Sequence, residues 1–183
     1  IWTLKDRLIG NKSLYNDNNL ANIFSINFIT SHDGFTLKDL VSFNKKHNLA
    51  NGEKNRDGEN NNNSYNYGVE GPTTNKEINN LRQKQQRNLL ATLLLSPGVP
   101  MLLMGDEVGR SQGGNNNTWC QDNPLGWMDW NHKNWDHELK EFVLKLISLR
   151  KQLPEFFSPD SIYDCQTDNT KVKTSHFWIQ WHG

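Results

Sequence analysis

The stretch Ser25–Asp39, SINFITSHDGFTLKD, constrains the fold of this chain more than any other. Its first part alternates polar and apolar side chains and includes two β-branched isoleucines, which predicts a short strand over 25–30. The apolar-periodic segment that follows predicts the first turns of a helix over 36–43. His32 and Asp33 therefore lie side by side where a strand ends and a helix begins.

Two interpretations of the His32 and Asp33 pair are open. Histidine and aspartate are ordinary turn and cap residues, and the tripeptide HDG by itself is a weak signal. The carboxyl ends of strands in barrels and open α/β sheets, however, are where such folds place their chemistry. We therefore treat His32 and Asp33 as candidate catalytic and substrate-binding residues.

A second strand and helix follow along the chain. Thr74 and Glu77 form a T-x-x-E capping box that opens a helix, and the sequence Ser-Pro-Gly at 96–98 ends it. The continuous apolar run over 99–104 predicts a strand buried on both faces. Such strands occur in parallel sheets, so the sequence predicts one here.

Acidic residues again follow this second strand. We expect Asp106 and Glu107 to hold the next loop in place, by pairing with Arg110 or with backbone amides. Neither strand is accompanied by a G-x-G-x-x-G or Walker pattern, which disfavours a nucleotide ligand.

Two long polar loops, at 44–75 and 109–130, complete the two units. Loops of this length inside a compact domain are usually functional or disordered. Their amides and tryptophans suit a ligand with flat apolar patches and many hydroxyl groups, as sugars have. The alternative is loop architecture, because Asn and Asp stabilise turns through their own backbone. The candidate substrate-binding residues in these loops are Asn55, Arg56, Asp57, Asn116, Asn117 and Trp119.

The composition restricts the possible partners. Basic and acidic residues balance at 20 each, which argues against a nucleic-acid or membrane partner held by bulk electrostatics. No apolar run is long enough to span a bilayer. Cys120 and Cys165 lack zinc spacing and predict two reduced thiols in an intracellular protein. His132 and His137 lack a third ligand, so we expect surface histidines, no metal site and no cofactor. Calcium is the open alternative in a loop this rich in oxygen ligands, although no EF-hand pattern is present.

The last part of the chain changes character. Asp136 is a good N-cap for an amphipathic helix that Pro154 ends. Beyond it the sequence becomes β-prone, with alternation over 175–181. We expect a domain boundary near Phe157, with an α/β part over 1–157 and the beginning of a β domain over 158–183. The chain opens without Met inside an apparent helix over 1–10, which predicts a piece of a longer protein.

Several long motifs together resemble one known family. INFITSHDGFTLKDLVSFNKKHNLANGE and NRDGENNN, then PMLLMGDEVGRSQGGNNNTWCQDNPLGWMDW and LISLRK, are similar to the glycogen-debranching and isoamylase branch of the α-amylase superfamily. The resemblance extends from about Ser25 to about Leu153. It implies a (β/α)₈ barrel followed by an antiparallel β domain, with Phe28–Asp33 as the seventh strand and its rim and Pro100–Glu107 as the eighth.

The resemblance also implies a function. Enzymes of this kind hydrolyse α-1,6 branch linkages in glycogen, limit dextrin, amylopectin or pullulan, with retention of configuration, in the cytoplasm or in plastids. Asp33 matches the third acid of the catalytic set, which stabilises the transition state, and His32 matches a histidine that contacts the same sugar. The nucleophile and general acid lie on earlier strands in this family, so we expect the chain alone to be inactive.

Two other functions are consistent with the sequence. A related α-glucanotransferase would share His32 and Asp33 and differ only in the acceptor. The chain could also bind α-glucan through its tryptophan and asparagine loops without cleaving it. The sequence does not distinguish these from hydrolysis, and it leaves the oligomeric state open.

Overall fold

A computed structural model of the chain describes residues 26–157. The helix predicted over 1–10, the strand predicted over 175–181 and the whole segment 158–183 lie outside the described residues. Among the helices of the described part, none has both the length and the apolar character that crossing a bilayer requires.

Two short parallel strands form the only sheet within residues 26–157. β1 spans Ile26–Asn27 and β2 spans Val99–Pro100, with Ile26 opposite Val99 and Asn27 opposite Pro100. The Met101 amide donates to the Asn27 carbonyl at 2.8 Å and extends the pairing by one bond. The predicted parallel arrangement is confirmed, but both strands are shorter than predicted.

The prediction that 99–104 is buried on both faces is wrong for the described part of the chain. Val99, Met101 and Met104 are 48%, 40% and 55% exposed, whereas Leu102 packs against the helical core. One face of the segment is therefore covered and the other is open, because each strand has a single neighbour among residues 26–157.

The helix after β1 is a single turn. α1 spans Leu37–Leu40 and is capped by Thr36, whose hydroxyl oxygen accepts from the Asp39 amide at 3.2 Å. The predicted start is confirmed, but the helix ends at Leu40, before Phe43, and the chain leaves it through a turn in which the amides of Ser42 and Phe43 share the Asp39 carbonyl.

The long helix α2 spans Lys76–Leu95. Its N-cap is Asn75, whose side-chain oxygen accepts from the amides of Glu77 at 2.9 Å and Ile78 at 3.2 Å. The predicted Thr74 and Glu77 capping box is therefore wrong by one residue, because the extended Asn75 reaches the same orphan amides. The helix buries two polar residues, Arg82 and Gln86, near its middle and three leucines toward its C-terminal end.

Helix α3 spans His137–Gln152, and the short α4 spans Pro154–Phe157. The Asp136 carboxylate caps α3 by accepting from the Leu139 amide at 2.9 Å, which confirms the predicted cap. α3 packs against α2, and fully burying one leucine side chain in such a core contributes about 1.5–3 kcal/mol. The buried core consists of Leu37, Leu90, Leu94, Leu139, Val143 and Leu146.

The C-terminal end of α2 is held by a side chain of α3. The Arg150 guanidinium donates to the carbonyls of Leu94 at 2.8 Å and Ser96 at 2.7 Å, and also to that of Gly98. It thereby occupies carbonyls that have no partner inside α2. The link into β2 is fixed by the same residue, since the strand begins directly after Gly98.

Candidate active site

His32 and Asp33 lie on the turn between β1 and α1, with side chains 88% and 82% exposed. The His32 Nε2 atom is 3.5 Å from the Asp33 Oδ2 atom. An exposed pair at this distance adds little to stability, so the fold does not require the two side chains to meet. An ionised carboxylate is a strong acceptor for a hydroxyl group, and imidazole can donate or accept. The arrangement can therefore bind a polyhydroxylated ligand.

A buried carboxylate lies beneath this turn. Asp106, in the 3-10 helix Asp106–Val108 after β2, is 2% exposed. Its Oδ2 atom accepts from the Thr30 hydroxyl, and its Oδ1 atom accepts from the Leu37 amide at 2.9 Å. Burial raises the pKa of Asp106 to about 6, although these two hydrogen bonds oppose the shift.

The two acids after β2 have structural partners, as expected, but Asp106 holds the turn after β1 and not the loop that follows it in the sequence. Asp106 pairs with a hydroxyl and an amide, and the Glu107 carboxylate accepts from the Gly105 amide at 2.9 Å. Arg110 donates instead to the Gly126 carbonyl. A threonine hydroxyl and two backbone amides, and not the Arg110 side chain, therefore donate hydrogen bonds to these carboxylates.

A second buried carboxylate, Asp39 in α1, holds the loop that follows β2. It is fully buried and accepts from the Ser111 hydroxyl at 2.5 Å, the Gln112 amide at 2.7 Å and the Gly114 amide at 3.3 Å. Burial raises the pKa of Asp39, and the three donors oppose the rise. Sequence reasoning missed this role, because the hydrogen-bond partners of Asp39 are more than 70 residues away.

The two long loops are joined by what we call the amide cluster. In it the Asn48 amide group donates to the Asn116 side-chain oxygen at 2.8 Å, and the Asn116 backbone amide returns a bond to Asn48 at 3.0 Å. The Asn115 amide group donates to the Asn51 oxygen at 2.8 Å. Asn115 and Asn116 are 1% and 2% exposed. The cluster comprises Asn48, Asn51, Asn55, Asp57, Asn115, Asn116 and Asn117.

Four of the predicted substrate-binding residues, Asn55, Asp57, Asn116 and Asn117, have side chains engaged within this cluster. Asn116 donates to the Glu59 carbonyl at 2.8 Å and to Asn62 at 2.6 Å. Asn55 accepts from the Asn48 amide at 2.7 Å. Asp57 accepts from Asn51 at 2.7 Å, and this hydrogen bond is the main reason why the pKa of Asp57 is lowered.

The other two predicted loop residues, Trp119 and Arg56, present more surface than these four. Trp119 is 74% exposed, and the Arg56 side chain is 77% exposed and lies 3.8 Å from Glu53. Asn117 is half-buried and donates to Asp57 at 3.1 Å.

The turn and the second loop meet at one backbone hydrogen bond. The Gly34 amide donates to the Asn116 carbonyl at 2.9 Å, and Gly34 has a φ of +122°, which a side chain would disfavour. The exposed His32 and Asp33 pair is thus in direct continuity with the amide cluster. Sequence reasoning missed Asn48 and Gly58 in this cluster, where a Cβ on Gly58 would lie 2.3 Å from the Asn116 side-chain oxygen.

The histidines near α3 do not build a metal site with their neighbours. The His132 ring lies 4.1 Å from the Trp135 ring, centroid to centroid, and so packs against an aromatic face. No group of three or more His, Cys, Asp or Glu side chains in residues 26–157 could hold a metal ion.

Comparisons with known proteins give a consistent result, although no family model matches the chain. It is 54% identical over 145 residues to a glycogen operon protein GlgX homolog of Mycobacterium tuberculosis, which covers 79% of the chain and 20% of the relative. It is 58% identical over 130 residues to the glycogen debranching enzyme of Pectobacterium atrosepticum, covering 71% and 20%. The chain therefore spans about a fifth of the length of these relatives.

A solved structure is also similar. Pullulanase from Bacillus acidopullulyticus matches 74% of the chain and 14% of its own length, with a TM-score of 0.51 and 25% identity. The resemblance to glycogen-debranching proteins that the sequence motifs indicate is confirmed by these relatives. The described residues share part of an α-amylase-type fold.

Proposed function

We propose that this chain is part of an α-glucan debranching hydrolase that cleaves α-1,6 linkages in glycogen or starch-like glucans. The observation that carries the proposal is the exposed pair His32 and Asp33 at the carboxyl end of β1, on a turn anchored by buried groups. Relatives named as glycogen debranching enzymes, and a pullulanase as structural neighbour, support the substrate class.

Asp33 has the chemistry that this role requires. Cleavage with retention passes through an oxocarbenium-like transition state, and hydrogen bonds to sugar hydroxyls that strengthen there supply several kcal/mol. We propose that the Asp33 carboxylate accepts from the hydroxyl groups of the sugar at the cleavage point, and that His32 contacts the same sugar. Asp39 and Asp106 are buried and so cannot touch a glucan.

The reaction also needs a nucleophilic carboxylate and a carboxylic acid about 5 Å apart. We propose that both come from other parts of the full-length protein, on preceding strands of a (β/α)₈ barrel. In this arrangement β1 and β2 begin the seventh and eighth strands, residues 1–157 belong to the barrel, and 158–183 begin a β domain. The enzyme would act in the cytoplasm, or in a plastid.

The loops contribute to the same site in two ways. We propose that Trp119 and Arg56 contact the glucan through largely exposed side chains. Asn117 contacts it through the accessible part of a half-buried side chain. Asn55 and Asp57 are half-buried and contact it through the edges that the amide cluster leaves accessible. Asn116, at 2% exposure, does not contact the glucan and instead fixes the shape of the loops from inside the cluster.

The test is a debranching assay of the full-length protein on glycogen and pullulan, with the Asp33→Asn variant beside the wild type. Loss of several kcal/mol of transition-state stabilisation predicts a fall in kcat of about two orders of magnitude or more. Glu141→Gln, an exposed acid on α3, is the control and should leave kcat unchanged. Wild-type kcat in the Asp33 variant would disprove the assigned role, and the absence of branch cleavage by the wild type would disprove the function.

A second function, binding of α-glucan without cleavage, is favoured by the exposure of Trp119 in a loop rich in amides. Native gels containing glycogen test it on the 183-residue chain. Retarded migration that Trp119→Ala reduces and Leu144→Ala leaves intact supports binding, since both side chains are exposed and only one lies in the loop. Equal migration with and without glycogen would count against it.

A further inference from the structure

We propose that Asp106 is a positioning residue for the His32 and Asp33 pair, a role that deepens the proposed function and rests on it. Its carboxylate joins the two ends of the turn that carries the pair. Thr30 precedes the pair and Leu37 follows it. One oxygen of Asp106 accepts a hydrogen bond from the Thr30 hydroxyl, and the other accepts one from the Leu37 amide. The exposed residues between these anchors are thereby held at a fixed place above β2.

The two anchors lie at the points where they restrict the turn most. Thr30 is 7% exposed and Leu37 is 1% exposed, so both ends of the turn are in the protein interior. The side chains of His32 and Asp33 are free of such packing. Their position therefore depends on the backbone of the turn, and the backbone depends on what holds its two ends.

Asp106 itself sits on a rigid support. Gly105 has a φ of +97°, and a Cβ at this position would lie 2.7 Å from the Arg110 side chain. The Asp106 amide donates to the Leu103 carbonyl at 3.1 Å, and the Arg110 amide donates to the Gly105 carbonyl at 2.9 Å. The carboxylate is thus fixed relative to β2, and it transmits that position to the turn after β1.

The two hydrogen bonds that the Asp106 side chain makes distinguish this role from simple space filling. An asparagine at 106 can still accept from the Leu37 amide through its oxygen and donate to the Thr30 hydroxyl through its amide group. An alanine can do neither. The pair of variants Asp106→Asn and Asp106→Ala therefore separates the bridge from the presence of a charge.

The kinetic test uses the full-length protein on a branched glucan. We expect Asp106→Ala to lower kcat by about tenfold to a hundredfold with KM changed by less than about threefold, because small misplacements of reacting groups cost this much in rate. Asp106→Asn should retain kcat within about fivefold. An asparagine variant as impaired as the alanine variant would overturn the two-point bridge.

The control is a variant that removes buried hydrogen bonds far from the turn. Arg150→Met loses the bonds to the carbonyls at the end of α2 and keeps the alkyl stem. Both variants are expected to lower the melting temperature, but only Asp106→Ala is expected to lower kcat. If the two variants lower kcat equally, Asp106 has a structural role only.

Hydrogen exchange followed by mass spectrometry tests the positioning without any activity. Asp106→Ala should speed exchange of the Gly34 and Leu37 amides by about tenfold or more, and Arg150→Met should leave them unchanged. Unchanged exchange in the alanine variant would overturn the proposal even in an active enzyme. Faster exchange together with an inactive wild type would leave the positioning intact and disprove the debranching function alone.

Discussion

Asp39 and Asp106 link the same two segments from opposite sides, because each carboxylate accepts hydrogen bonds from the segment that follows the other strand. Asp39 follows β1 and accepts from the loop after β2, and Asp106 follows β2 and accepts from both ends of the turn after β1. Each carboxylate is 0–2% exposed and satisfies donors that would otherwise be buried without partners. The two strand ends are therefore locked together even though only two residues of each strand pair.

The first prediction concerns the pH dependence that Asp106 gives to stability. Its pKa is about 6 in the folded protein and 3.8 without the fold. Between these values the folded state binds more protons than the unfolded state, so stability falls as pH rises. The stability from this group is complete below pH 3.8 and is lost as pH rises through 6, with an upper limit of about 3 kcal/mol.

Urea unfolding of the wild type and of Asp106→Asn measures this effect over about three pH units, from pH 4 to pH 7, the range in which Asp106 titrates in the folded protein. The asparagine does not titrate, so the difference between the two proteins isolates the group at 106. We expect the wild type to lose stability relative to the variant as pH rises. A difference that grows in favour of the wild type would contradict the raised pKa.

The second prediction concerns Glu70, whose pKa is lowered, so that its contribution to stability changes with pH in the opposite direction. Burial opposes ionisation of this carboxylate, but hydrogen bonds from Asn44, His47, Asn66 and Lys45 together hold its pKa at about 2. A lowered pKa contributes stability that is present above the unfolded value of 4.5 and is lost as pH falls toward 2.

Acid unfolding of wild type and Glu70→Gln should therefore give curves that converge as pH falls below 4.5. At neutral pH the glutamine variant should be less stable, because it replaces an ionised acceptor shared by two backbone amides at 2.9 and 3.0 Å. Glu53→Gln, an exposed glutamate of the same loop, is the matched control. Parallel curves for wild type and Glu70→Gln down to pH 2 would show that this carboxylate does not drive the acid transition.

Local features of the fold could be predicted from the sequence, and long-range ones could not. Asp136 was predicted as a cap because a cap is a contact within four residues of itself. The Thr74 cap was missed by one position, since Asn75 competes for the same amides. The lengths of the strands depend on where the paired segments separate. The two segments meet across long sequence distances, such as the 76 residues between Thr30 and Asp106, and local patterns carry no information on such contacts.

The candidate site divides in the same way. His32 and Asp33 were found from the strand and helix patterns on either side of them. The partners of Asn116 could not be found, because a run of asparagines predicts a polar loop whether its side chains face solvent or one another. The structure buries Asn116 to 2% exposure, and its bonds to Asn48 cross 68 residues. Residue type predicts that the loop is polar, but only the three-dimensional contacts show which of its side chains bond to one another.

The last prediction tests this order through two glycines of the first loop. Gly52 and Gly58 have φ values of +79° and +71°, so a side chain strains the backbone equally at both, by about 1–2 kcal/mol. A Cβ on Gly52 meets nothing within 4 Å, whereas one on Gly58 would lie 2.3 Å from the Asn116 side-chain oxygen and 2.7 Å from the Asn48 side-chain nitrogen. Gly58→Ala should therefore lower the free energy of unfolding more than Gly52→Ala, by about a further 1–3 kcal/mol. Adding Asn116→Ala to Gly58→Ala should recover part of that excess loss, because residues in contact have non-additive effects on the free energy of unfolding. Adding it to Gly52→Ala should recover none of the stability lost there. Equal losses in the two alanine variants, measured by urea unfolding of the full-length protein, would show that the amide cluster is not closely packed around Gly58.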